Sequence, residues 1–332
     1  MPAFHEAKLG ATLIRDLGLT IAGTPLEPLV RELEAEIAAA GLRRVRPRFY
    51  LSTEWGVPTD TIAIAIPFYL ARPELTELHA ERTGHVEGLS GRDILRYLRH
   101  EMGHVVCYAY LLHEEREFID LFGSITQPYL DDYRPEPFSS RFVTHLPGWY
   151  AQKHPEEDWA ETFAIWLTPG RDWRAEHADR PIALAKLLYC DRAVAAVGDR
   201  EPILTSEELD EDVAEIDYSL DDYYADSALA EEPRGLDAAL RTIFDDAREP
   251  PAETRPASAL IARIERDLIA NVYRWTGHFP EQTRPLLRHL ARRADELGLG
   301  YAPERDTAVV LALTTLVTAL AMTHVLRGTY FP

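Results

Sequence analysis

The sequence predicts an α+β fold in which helices dominate, and three observations carry that expectation. Apolar residues recur at helical spacing in most segments of the 332-residue chain. Two early runs, 44–52 and 61–68, are instead rich in β-branched and aromatic residues, as strands are. A third stretch, 91–111, is helical and carries His100-Glu101-Met102-Gly103-His104, an H-E-x-x-H run.

In chain order, 27–41 is an amphipathic helix that stops at a glycine. In the second strand run Ile62, Ile64 and Ile66 alternate with Ala63 and Ala65. Ser90 and Asp93 make a capping-box-like start for the next helix, and Ile94, Leu95, Leu98, Met102 and Val105 give it an apolar stripe. Residues 122–154 are irregular and rich in aromatic residues and proline, and read as one wall of a cleft, with Arg134 and Arg141 as contacts for a substrate carboxylate or as surface ion pairs. Pro155 and the acids after it then open a short helix that Thr168-Pro169-Gly170 ends. Residues 201–233 hold many acids and neither Lys nor Arg, which suits a linker or a solvated helix pair that Tyr218, Tyr223 and Tyr224 could dock. Helical patterns fill the rest, at 237–247, 257–276, 281–298 and 305–327.

Chemistry concentrates at two of these helices. Side chains four apart on a helix lie one above the other, so His100 and His104 can grip one ion, with Glu101 directed at the open coordination position. About 0.04 chance occurrences of the string are expected at this composition, so the string is suggestive and the helical context adds weight. Two histidines on a core helix would be the plain structural alternative. A catalytic zinc needs a third protein ligand. Glu157 and Glu161 share one face of the following helix, beside the small residues Ala160 and Ala164 that permit close packing. One carboxylate can bind the metal while the other accepts the N–H of a ligating histidine, although a solvated acidic first turn would also explain Glu157.

The H-E-M-G-H run followed by His154-Pro155-Glu156-Glu157-Asp158-Trp159-Ala160-Glu161-Thr162-Phe163-Ala164 resembles the bacterial putative zinc-binding metallopeptidase family. More broadly it resembles gluzincins, whose third ligand is a glutamate on a later helix. The likeness covers roughly residues 10–195. It implies a zincin-like domain with a small mixed sheet and the H-E-x-x-H helix, while the helical patterns beyond it make the C-terminal region all-helical. It further implies that zinc is held by His100, His104 and Glu157, with Glu101 as general base and Glu161 supporting a ligand imidazole. A distant gluzincin relative places a tyrosine seven residues before its ligand glutamate to steady the oxyanion, and Tyr150 stands at that offset. Three regions follow: a metallopeptidase domain over 1–198, an acidic linker over 199–235 and a helical region over 236–332.

Composition bounds the partners. A formal net charge of −20 argues against nucleic acid and anionic membranes. The stretch 308–326 is apolar but interrupted by threonines, and is expected to be a buried helix rather than a membrane span. Two cysteines, Cys107 and Cys190, give no disulfide framework, and the absence of an apolar leader in residues 1–20 points to a cytoplasmic location. The leading expectation is hydrolysis of a peptide or protein substrate. A metal-binding regulatory module and a zinc hydrolase of non-peptide amides are the alternatives, and the intact Glu101 speaks against the first.

Overall fold

The computed structural model describes residues 9–83, 86–129, 135–136, 138–225, 235–246 and 254–330. Arg134 lies outside them. The chain divides into two compact units, one of residues 1–78 and 86–225 and another of 79–85 and 226–332.

The first unit begins with helix α1 (Leu26–Ala39), which buries Leu33 and Ile37. Strands β1 (Arg48–Ser52) and β2 (Ala63–Pro67) pair in parallel, Tyr50 opposite Ala65. Every residue of β2 is buried, so its alternation separates two covered faces rather than core from solvent. An isolated antiparallel bridge joins Gly56 to Ala65 and covers the other edge of β2 at that residue. After α2 (Pro73–Thr83), whose residues from 79 on group with the second unit, comes α3 (Gly91–Ala109), in which Ser90 accepts the Asp93 N–H at 3.2 Å as a cap. The short α4 (Arg116–Phe122) leads to the irregular stretch, which ends in a 3₁₀ segment at Pro147–Gln152. Helix α5 (Pro155–Leu167) then packs across α3, with α6 (Trp173–Glu176) and α7 (Pro181–Val197) behind it.

Residues 199–225 group with this first unit. The Ser206 carbonyl accepts the Ile62 N–H at 2.8 Å, and the Val213 N–H donates to Leu51 at 3.0 Å. The Tyr50 hydroxyl reaches the Asp210 carbonyl at 3.0 Å, while Tyr223, in α8 (Leu220–Tyr223), donates to the Thr53 carbonyl at 3.1 Å.

The second unit holds α9 (Asp237–Ile243), β3 (Asp245–Asp246), β4 (Arg255–Pro256), α10 (Ala257–Thr276), α11 (Pro280–Glu296), β5 (Leu299–Tyr301) and α12 (Asp306–Arg327). Its core is built from Leu260, Ile269, Leu287, Leu290, Leu313 and Val317. It is not all-helical: β5 runs between β3 and β4 in an antiparallel sheet. Strands of two or three residues carry no periodicity, which is why the pattern missed them. Helix α12 is buried along one face only, through Val309, Leu313, Val317, Leu320 and Ala321, while Leu311 stands 63% exposed. By length and composition this helix could cross a membrane.

Candidate metal centre

Helix α3 presents His100 and His104 on one face, both buried, with their Nε2 atoms 3.3 Å apart. Helix α5 brings Glu157 to them. Its Oε2 lies 2.9 Å from His100 Nε2 and 3.5 Å from His104 Nε2. A tetrahedral ion with donors at ~2.0–2.1 Å spaces those donors by ~3.3 Å, so the three atoms are set as zinc ligands are. Among the described residues, His100, His104 and Glu157 form a buried group that could hold a metal ion.

Close approach of the two helices makes this spacing possible. A Cβ at Gly103 would lie 2.8 Å from Ala160 Cα and 3.2 Å from Phe163 Cβ. Only glycine lets the α5 backbone come so near. The fully buried Trp159 donates its indole N–H to the Gly103 carbonyl at 2.7 Å and fixes the crossing.

Glu161, one turn after Glu157, fixes the tautomer of His100. Its carboxylate accepts the backbone N–H groups of His145 at 2.6 Å and Leu146 at 2.8 Å. An acceptor so placed takes the Nδ1–H of His100, 3.1 Å away, which turns the Nε2 lone pair toward Glu157 and His104. In neutral form, His100 Nε2 would then face a carboxylate oxygen across 2.9 Å with no hydrogen between them. A cation or a proton must sit there.

In the ion-free protein the surroundings favour a proton there. Burial disfavours a charged His100, but hydrogen bonds to Glu157 and Glu161 outweigh it and hold the imidazole well above its ordinary range. His104 is raised for the same balance of reasons, burial opposing and Glu157 prevailing. For Glu157 burial again opposes the charge, and the two imidazoles hold its carboxyl well below the usual carboxylate range.

Glu101 is 5% exposed, and burial pushes its carboxyl upward against the opposing pull of both imidazoles. Among the described residues no hydrogen bond reaches its carboxylate. Tyr150 lies with its ring 5.7 Å from the His100 ring. Just before it, Gly148 and Trp149 both take left-handed backbone angles, φ 84° and 55°, and this kink carries Tyr150 to the site. A non-glycine residue in that region is strained, as residues beside functional sites often are.

Glu156, adjacent to Glu157 in the sequence, is turned away: Tyr108 donates to it at 2.9 Å. Arg141 contributes its backbone carbonyl to Lys186 at 3.1 Å, and Lys186 in turn pairs with buried Asp158 at 2.5 Å. Sequence reasoning missed Tyr129, whose hydroxyl donates to Glu157 Oε1. It missed Gly103 as well, although a glycine opposite the small face of Ala160 and Ala164 was a readable signal. The backbone donors of His145 and Leu146 have no side-chain signature.

Residues 74–172 match the family described as putative zinc-binding metallo-peptidase. The matched metallo-peptidase segment contains His100, Glu101, His104 and Glu157, and so spans the whole donor group. No curated protein and no solved structure matches the chain.

Proposed function

We propose that the protein is a zinc-dependent metallopeptidase with a zincin-like site, its ion held by His100, His104 and Glu157 and its general base supplied by Glu101. One observation carries the reading: three buried donor atoms stand at zinc spacing, and Glu101, next to His100 on the same helix, is a buried carboxylate that no hydrogen bond reaches among the described residues. A site serving structure alone needs no such carboxylate. The family match over residues 74–172 supports the same class.

When bound, zinc supplies Lewis-acid polarisation of a carbonyl and acidifies water. The residues do the rest. Glu101 accepts the proton of the attacking water on its carboxylate and passes it to the departing amine nitrogen. Glu161 holds His100 in the tautomer that keeps Nε2 free, and the Tyr150 hydroxyl donates to the oxyanion that develops at the scissile carbonyl. The substrate class is a peptide or protein.

Metal analysis joined to a peptide-library digest tests this, with Glu101→Gln beside the parent. The expected result is one zinc per chain in both proteins and cleavage by the parent alone, with the variant slower by about 10²–10⁴-fold. A parent that binds no zinc, or a Glu101→Gln variant that cleaves as well as the parent, refutes the assignment.

A further inference from the structure

Glu157 has two oxygens, and only Oε2 is the one set against His100 and His104. A free carboxylate can chelate through both oxygens, filling the vertex that a catalytic site keeps open. Something must hold Oε1 back. Tyr129 donates its hydroxyl to that oxygen.

The placement of Tyr129 is itself determined. Its ring stacks on His154 with centroids 4.3 Å apart and planes 23° from parallel. His154 caps α5: its Nδ1 accepts the Glu156 N–H at 3.4 Å, so its Nε2–H donates to the Gln127 carbonyl at 3.0 Å. The cap of the ligand helix thus clasps the chain two residues before Tyr129 and offers its face to the Tyr129 ring. The Lys153 ammonium lies 5.2 Å from the same ring centroid. Start of helix, loop and ligand carboxylate are joined in one short circuit, closed by the phenol.

We propose that Tyr129 is a positioning residue that restricts Glu157 to single-oxygen ligation and so preserves the open vertex. The inference rests on the metallopeptidase reading. It concerns the coordination number of the ion, which is measured without turnover. Tyr129→Phe keeps the ring and its stack on His154 and removes only the donor.

The experiment loads parent and Tyr129→Phe with cobalt(II) and records the visible spectrum, then measures zinc affinity by competition with a chromogenic chelator. The parent is expected to show the intense band of a four-coordinate ion. In Tyr129→Phe that band weakens as the second oxygen joins, and zinc affinity changes with it, by up to about 10-fold, the lower end for loss of a ligand's supporting contact. His154→Asp retains a cap for α5 but removes the stacked ring, and is expected to weaken the band in the same direction to a smaller extent. An unaltered spectrum in folded Tyr129→Phe overturns the inference and leaves the ligand assignment intact. A parent that takes up no cobalt or zinc fails at the earlier step, the metal site itself.

Discussion

Gly103→Ala tests the packing that sets the donor distances. The new methyl would sit 2.8 Å from Ala160 Cα, where carbon atoms prefer about 3.5–4.0 Å, so the helices must part by roughly 0.7 Å or more. The opposing atom is backbone, and no rotamer change relieves it. Overpacking of this kind costs about 1–3 kcal/mol, against which alanine gains about 1 kcal/mol over glycine in helix propensity. The net loss expected is about 0–2 kcal/mol. Its effect on the site is larger in proportion. A 0.7 Å parting carries the 2.9 Å gap between Glu157 and His100 to about 3.6 Å, outside the ~3.3 Å that zinc donors require. Zinc affinity should fall by at least about 10-fold. Urea melts of the zinc-free protein give the first quantity and competition titration with a chelator the second. Ala160→Gly in the same chain removes the contact to Ala160 Cβ at 3.3 Å but not that to Cα, so it should restore only part of either loss. If Gly103→Ala melts with the parent and binds zinc equally, helix approach does not set the site.

Two further outcomes follow from the same geometry. Glu157→Ala should abolish stoichiometric zinc, whereas Glu161→Ala should weaken binding by about 10–100-fold, and calorimetry that returned the opposite order would exchange their roles. In the ion-free protein His100 and His104 are raised, so the stability they contribute is complete below their ordinary value of about 6.5 and is lost as pH climbs through the raised values. Zinc needs both imidazoles unprotonated, so the increase in Tm that zinc brings should grow from about pH 6 to about pH 8; an increment that ignores pH would remove histidine from the ligand set.

What the sequence made legible was whatever repeats or caps. The spacing of His100 and His104, the Ser90 start and the Pro155 start are local signals, and α3 and α5 begin at Gly91 and Pro155. That one of Glu157 and Glu161 joins the histidines was readable because they lie on one face, and the family resemblance pointed to Glu157. Less could be read where long-range geometry decides. Tyr129 meets Glu157 across 28 positions with no periodic relation between them. The segment 199–225 looked like a linker because its side chains are acidic. Beside the Tyr223 hydroxyl, its attachment runs through backbone groups, such as the carbonyls of Ser206 and Asp210, which any sequence possesses. Charge described the outer surface of that segment and was silent about its inner one.

The carboxylates of the site differ by what the fold provides for each. Glu161 has the backbone donors of His145 and Leu146, Glu156 has Tyr108, and Glu157 has Tyr129 and the imidazoles. Glu101 has no hydrogen bond among the described residues. On the proposed reading, a divalent cation held by His100, His104 and Glu157 would displace the protons that these facing groups favour in its absence, so metal uptake would release protons, and Glu101 would be the carboxylate left to accept one.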